Sequence, residues 1–158
     1  MLKSMHGGNI AIVGAAETDQ IGVLPNTSVY ELHANSAVRA LADAGLTVAD
    51  VDGFATTMPN ALEVADYIGI RPTWLDGTMV GGCSYMLHVR HAAAAIATGA
   101  ADVVLITHGE SGRSRVGAAP RVANPTSLAG QFEQPYGALT PYSSFTTPVL
   151  SFLESRGL

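Results

Sequence analysis

The chain has 158 residues, of which 47% are hydrophobic and only 13% are charged. This composition supplies a buried core and excludes a disordered chain, and the length suits a single domain over residues 1–158. The net charge of −5, with no basic run, excludes a nucleic-acid-binding surface, and no apolar run is long enough for a transmembrane helix.

Cysteine content and the first residues indicate the compartment. A single cysteine excludes an internal disulfide framework and a cysteine-rich zinc site, so we expect a reducing, cytoplasmic setting. The opening residues, MLKSMHGG, contain one lysine and no apolar stretch, and they do not predict a signal peptide.

The first predicted elements are a strand and a helix. Residues 10–13 are predicted to form a buried strand that ends at Gly14. Thr27 or Ser28 can cap the following helix, with Glu31 three residues beyond Ser28 as in a capping box, and Gly45 ends it. Its expected apolar stripe comprises Tyr30, Ala34, Ala37, Val38, Leu41 and Ala44.

A second strand and a short second helix are predicted next. The strand covers about residues 53–57, and Asn60 can cap a helix over residues 61–69. Residues 71–82 contain turn-forming residues and are predicted to be an extended segment.

Residues 84–98 are predicted to form a helix that is apolar almost all round. Only His88, Arg90 and His91 interrupt its apolar surface, so we expect it to be buried on all sides. The run ADVVLIT, residues 101–107, is typical of a strand covered on both faces. This alternation predicts an α/β fold with a mainly parallel sheet packed on a buried helix.

The amino-acid composition changes in the last part of the chain. Glycine, proline, serine and arginine dominate residues 110–142, which predicts a long loop without regular structure. A final helix is predicted at about residues 143–156, where Pro148 would kink the helix or mark a late start.

Cys83 stands at the predicted start of helix 84–98, directly after Gly81 and Gly82. Free backbone N–H groups and the helix dipole favour a thiolate there, and the glycines allow a ligand to approach closely. These residue types suit an acyl-accepting nucleophile. The alternative is a small apolar residue packed where the helix begins, as free cysteines commonly are.

The stretch HAAAAIATGAADVVLITHGES, residues 91–111, resembles the thiolase superfamily, in which a nucleophile turn opens a buried helix and an alanine-rich run leads into a strand. NIAIVGAAET resembles the first strand of that family, and ELHANSAVRALADAGLTVADVDGF resembles its first helix and the exit to its second strand. The resemblance covers most of the chain but only the N-terminal half of a thiolase, so we expect a layered thiolase-like fold without the C-terminal half.

The register of this resemblance bears on the cysteine. When Ile96 is aligned with the isoleucine of the alanine-rich run, the family's nucleophile falls on Gly82, and Cys83 lies one residue later. One residue turns a helix by about 100°, so Cys83 is the acyl acceptor only if the turn holds a one-residue gap. The Gly-Gly-Cys-Ser sequence is similar to the sterol-carrier and lipid-transfer thiolase-like branch. Some members of that branch catalyse retro-aldol cleavage of acyl-CoA side chains with a small zinc-ribbon and OB-fold partner.

The resemblance implies a coenzyme A thioester as substrate and no covalently bound cofactor. Gly81, Gly82 and Ser84 would form the oxyanion-binding turn. Guanidinium groups suit phosphates, so we expect arginines of the loop to bind the coenzyme A phosphates and a tyrosine of the loop to contact the acyl chain. The alternative is that the loop is simply solvated. The residues concerned are Arg113, Arg115, Arg121 and Tyr136.

Three further expectations concern what the chain lacks. His88 and His91 lie three residues apart on one helix face, and we expect them to pack or to form hydrogen bonds along the helix rather than to bind a metal. The second cysteine and the catalytic histidines of thiolases are not found before Leu158, so the chain alone is expected to be inactive. The resemblance implies that the whole protein carries out acyl transfer or retro-aldol cleavage of coenzyme A thioesters in lipid or sterol metabolism. The alternative function is a non-catalytic thiolase half that serves oligomerisation or partner binding.

We predict that the chain is a homo-oligomer, most simply a dimer. Exposure of even ~800 Å² of apolar surface would forgo roughly 20 kcal/mol at ~25 cal/mol per Å², more than the net stability of about 5–15 kcal/mol of a whole domain. Light scattering at micromolar concentration should report at least twice the 16.3 kDa mass of the chain. A stable monomer that binds no hydrophobic dye would contradict this expectation.

Overall fold

The structure, a computed structural model, describes residues 10–116, 124–138 and 141–158. The chain divides into two compact units, residues 1–118 and residues 119–158. The first unit contains, in chain order, α1 (Val29–Asp43), a 3₁₀ turn (Val48–Asp50), β1 (Gly53–Ala55), α2 (Ala61–Ile68), β2 (Trp74–Asp76), α3 (Ser84–Thr98) and β3 (Val104–Ile106).

The three strands form a parallel sheet in the order β2-β1-β3. Parallel strands are joined by right-handed crossovers, and the chain moves in opposite directions from β1 to β2 and from β2 to β3. Helices α2 and α3 therefore cover opposite faces of the sheet. The expected α/β fold with a parallel sheet is confirmed.

The core lies between the sheet and the helix pair α1 and α2. Phe54 and Leu105 are paired in register on one face of the sheet, and both are buried against this pair. The core cluster comprises Ala37, Leu41, Val51, Phe54, Ala61, Val64, Ala65, Ile70 and Leu105.

Both expected helix caps are present. The Ser28 hydroxyl accepts a hydrogen bond from the Glu31 backbone at 3.1 Å, and the Asn60 side chain accepts one from Leu62 at 2.9 Å. Gly45 follows α1 with φ +69°, a conformation that favours glycine. Capping is readable from sequence because it depends on residues three or fewer positions apart.

The predicted stripe of α1 is wrong in part. Val38 is more than half exposed, whereas Leu32 and His33 are buried together with Ala37 and Leu41. The helix turns His33 inwards because two polar groups of the core bond its ring. An apolar stripe drawn from hydrophobicity alone leaves such a residue out.

The predicted first strand is not formed. Residues 10–13 have no strand structure, and Ile12 is 78% exposed. The segment instead follows α1: the Ala15 N–H donates to Asp43, and a Cβ at Gly14 would lie only 2.4 Å from the Ala40 carbonyl oxygen. A strand requires a neighbouring strand, and none of the described residues supplies one here. By contrast, the extended segment 71–82 does contain a paired strand, β2.

Helix α3 has the predicted bounds but is not buried on all sides. Ser84, His88, Ala92 and Ala95 face inwards, whereas Met86 is 78% exposed. Strand β3 is likewise only partly covered, since Leu105 is buried and its two neighbours are half-buried. In the first unit an open, mainly apolar groove of about 1240 Å³ runs beside β3, lined by residues of α1, α3 and the segment 10–24.

The second unit is helical. It contains α4 (Leu128–Phe132), a 3₁₀ turn (Gln134–Tyr136) and α5 (Pro141–Ser155). The expectation of an irregular loop over 110–142 is therefore wrong for residues 128–136, where Ser127 caps α4 by accepting from the Gly130 N–H. Pro148 lies inside α5 and does not end it. None of the described helices has the length and apolarity needed to cross a membrane.

Candidate functional site

Polar side chains gather at the carboxyl edge of the sheet. Helix α3 returns the chain between two parallel strands, so its N-terminus lies at the edge where the strands end. Thr57 follows β1, His108 follows β3, and Tyr85 lies in the first turn of α3. Ligands of open α/β sheets bind at this edge, so the group marks the candidate site.

Tyr85 joins the three elements. Its hydroxyl lies 2.7 Å from the Thr57 hydroxyl and also forms a short hydrogen bond with Nδ1 of His108. The rings of Tyr85 and His108 pack edge to face, with centroids 4.5 Å apart. Tyr85 and Thr57 are half-buried and His108 is exposed, so the group is accessible from solvent.

His33 supports this edge from beneath. Its Nε2 donates to the Met58 carbonyl at 3.0 Å, so in the neutral ring Nδ1 accepts from the Thr107 hydroxyl at 2.7 Å. Complete burial lowers the pKa of His33 to about 4. Gly109 packs against the ring, and a Cβ at Gly109 would lie 2.6 Å from Cδ2 of His33.

A second polar group connects β2 with α3. Nδ1 of His91 donates to Asp76 at 2.7 Å, and Nε2 of His88 donates to the Thr78 carbonyl at 3.0 Å. Burial raises the pKa of Asp76, but hydrogen bonds from Thr78 and His91 hold it below its usual range. His88 and His91 therefore form hydrogen bonds, as expected, but with Thr78 and Asp76 outside the helix and not along it. The described residues contain no group of three or more His, Cys, Asp or Glu placed to bind a metal.

The turn before α3 brings together four of the predicted site residues. Gly81 adopts φ +82°, and Cys83 is the N-cap residue of α3 and is exposed. The exposure contradicts the interpretation of Cys83 as a packed apolar residue. Ser84 is buried, accepting from the Val80 N–H at 2.9 Å and donating to the Gly81 carbonyl at 2.6 Å, so its hydroxyl fixes the turn.

The predicted coenzyme A contacts belong to different parts of the chain. Arg113 and Arg115 are exposed on the segment that follows β3. Arg121 lies outside the described residues. Tyr136 belongs to the second unit and is 88% exposed.

Sequence reasoning missed the residues around Tyr85. Thr57 and His108 each lie two residues beyond the end of a parallel strand, and Tyr85 lies two residues beyond Cys83. The position of polar residues after strand ends is the signal that could have found them, because those ends meet at one edge of a parallel sheet.

No family model matches the chain, but one curated protein and several solved structures are similar to it. The chain is 38% identical over 163 aligned residues to the 17-hydroxy-3-oxo-4-pregnene-20-carboxyl-CoA lyase of Mycobacterium tuberculosis, covering 97% of this chain and 42% of the lyase. It superposes on the Ltp2-ChsH2(DUF35) aldolase with a TM-score of 0.65 and 26% identity, covering 94% of this chain and 40% of that one.

A third similar protein is the monomeric SCP2-thiolase-like protein type 1 of Mycobacterium smegmatis. Its TM-score is 0.50 with 30% identity, over 60% of this chain and 22% of that one. The resemblance to the thiolase superfamily, in its lipid-transfer branch, is confirmed. This thiolase-like chain spans less than half the length of the proteins it matches.

The buried His33 of the thiolase-like unit makes stability depend on pH. The unfolded chain binds a proton at His33 below about pH 6.5, whereas the folded chain does so only near pH 4. Unfolding therefore becomes easier as the pH falls through this window, by about 3 kcal/mol for a shift of this size. We expect urea unfolding at pH 7 and pH 4 to show this loss, and His33→Gln to remove most of it. An equal pH dependence in both proteins would show that His33 is not the cause.

Proposed function

We propose that the chain is the N-terminal part of an enzyme that cleaves a carbon–carbon bond of an acyl-CoA thioester by a retro-aldol reaction, in sterol or lipid metabolism. The observation that carries the proposal is the 38% identity to a CoA lyase along 97% of this chain. Similarity to an aldolase of the same fold supports the same reaction class.

The chemistry of the turn favours cleavage over acyl transfer. Acyl transfer by a thiolase passes through a thioester on a cysteine, and the family position of that cysteine is Gly82 here. A retro-aldol reaction forms no acyl-enzyme. A base removes the proton of the β-hydroxyl, the bond between the α- and β-carbons breaks, and the electron pair passes into a thioester enolate. Glycine at position 82 is compatible with this reaction.

The turn before α3 would stabilise the enolate. Negative charge on the thioester oxygen is stabilised by backbone N–H groups and by the positive end of a helix dipole. Gly81 and Gly82 leave the backbone accessible, and the two hydrogen bonds of Ser84 hold the turn in place. We assign Arg113, Arg115 and Arg121 to the coenzyme A phosphates and Tyr136 to the acyl chain, on their residue types.

The assembly forms a further part of the proposal. The exposed surface of α3 and the groove beside β3 support contact with more protein, and we propose a homodimer in the cytoplasm. A small zinc-ribbon and OB-fold partner is supported by the aldolase neighbour, which is itself named as two components, Ltp2 and ChsH2(DUF35).

The test is cleavage of a β-hydroxyacyl-CoA by the protein expressed from its intact gene, with 17-hydroxy-3-oxo-4-pregnene-20-carboxyl-CoA as the first substrate. We expect a ketone and a shortened acyl-CoA, both measured by liquid chromatography with mass spectrometry. The same thioester without the hydroxyl is the matched control and should not react.

The isolated 158-residue chain should not thiolyse acetoacetyl-CoA, and turnover that scales with purified chain would contradict the proposal.

Cys83→Ser tests whether the cysteine takes part. Because Cys83 is the N-cap residue and serine caps helices well, the substitution should preserve the fold, and cleavage should stay within a few-fold of the unsubstituted protein. Loss of a covalent nucleophile would instead cost many orders of magnitude. A decrease beyond ~10³-fold, with unchanged circular dichroism, would restore Cys83 as the acyl acceptor.

A further inference from the structure

The hydrogen-bonded group formed by Thr57, Tyr85 and His108 is accessible from solvent. Three separate elements bring a phenol, an imidazole and a hydroxyl together at the carboxyl edge of the sheet. We propose that Tyr85 is the catalytic residue that takes the proton from the β-hydroxyl of the substrate, with His108 and Thr57 as its positioning residues. This inference rests on the retro-aldol function proposed above.

The hydrogen-bonding capacity of the phenol suits this task. A tyrosine hydroxyl has one proton to donate and lone pairs that accept. When Nδ1 of His108 is unprotonated, Tyr85 donates to it, and the Thr57 hydroxyl donates to Tyr85. The phenol oxygen then keeps accepting capacity for the hydroxyl of a substrate, and its own proton has a place to go.

The location of Tyr85 matches the proposed enolate site. Tyr85 lies in the first turn of α3, two residues after the N-cap residue Cys83, so it closely follows the turn that contains Gly81 and Gly82. In a β-hydroxyacyl thioester, the carbon that carries the hydroxyl and the carbonyl carbon are both bonded to the α-carbon. On this proposal, one bound molecule places its carbonyl at the turn and its hydroxyl at Tyr85.

The other histidines among the described residues are less suited to proton transfer. His33 and His88 are fully buried, and both nitrogens of His33 are hydrogen-bonded. His91 is bonded to Asp76. His108, by contrast, is exposed and lines the groove beside β3. The titratable groups near it are Tyr85 on α3 and His33 on α1, and His88 packs against the Tyr85 ring.

The step conserves protons and electrons. The β-hydroxyl proton moves to the Tyr85 oxygen as the phenol proton moves to Nδ1 of His108. The bond between the α- and β-carbons breaks, the β-carbon becomes a ketone, and the electron pair forms the thioester enolate. The proton held by His108 then returns through Tyr85 to the α-carbon, so no oxidant or reductant is required.

The experiment compares variants of the protein expressed from its intact gene in the cleavage assay. Tyr85→Phe keeps the ring packed against His108 and removes only the hydroxyl, and we expect kcat to fall by at least ~10²-fold with KM within a few-fold. His108→Gln should lower kcat less and flatten its dependence on pH, an effect that a merely structural role would not produce. Tyr67→Phe is the matched control, because Tyr67 is exposed on α2 and packs against Tyr30, and it should behave as the unsubstituted protein.

The outcomes separate the two proposals. If the unsubstituted protein cleaves the thioester and Tyr85→Phe retains kcat within threefold, the role of Tyr85 is overturned and the proposed function stands. If the unsubstituted protein does not cleave it, both are overturned. If Tyr85→Phe loses its circular dichroism signal, His108→Gln decides: an unchanged kcat with an unchanged pH profile overturns the inference.

Discussion

The pairing of β1 with both of its neighbours is the constraint on which the rest of the first unit depends. Gly53–Ala55 pairs in parallel with β2 on one side and with β3 on the other. Because all three strands run in the same direction, their carboxyl ends share one edge, and the helix that joins β2 to β3 must begin there. Thr57, Tyr85 and His108 come from parts of the sequence up to 51 residues apart, and this topology alone makes them neighbours.

The same pairing leaves β3 at an edge of the sheet. Strand β3 ends the order β2-β1-β3, and beside it runs the groove between α1 and α3. Residues 10–13 have the composition of a strand but lack a described neighbour to pair with, so their apolar side chains remain exposed. The exposed surface of α3 has the same origin, since an apolar helix face is covered only when a second layer is present. A chain that spans 42% of its curated relative can leave such surfaces uncovered.

The site combines a buried polar group with a solvent-accessible one. Below the edge, His33 is held neutral by burial, and its two hydrogen bonds tie α1 to Thr107 and to Met58. Above it, the phenol of Tyr85 and the ring of His108 are reachable from solvent. A buried neutral histidine gives rigidity without charge, whereas an accessible phenol–imidazole pair can exchange a proton. This division supports the assignment of structural roles to the lower group and chemical roles to the upper one.

Local interactions are what the sequence by itself determined. The α/β class, the bounds of α3 and the caps at Ser28 and Asn60 follow from periodicity and from contacts within a few residues. The turn at Gly81 and the family resemblance around Ile96 were also readable, because they are short motifs.

Burial and the neighbours of each side chain were decided only by the tertiary structure. Apolar composition predicted that α3 is buried on all sides, but burial requires a second surface, which a sequence window does not contain. His33 points inwards because it forms hydrogen bonds with Met58 and Thr107. These partners lie 25 and 74 residues away, so a local stretch of sequence does not reveal them. Tyr85 became a candidate catalytic residue for the same reason: the sheet, and not the sequence around it, supplies Thr57 and His108.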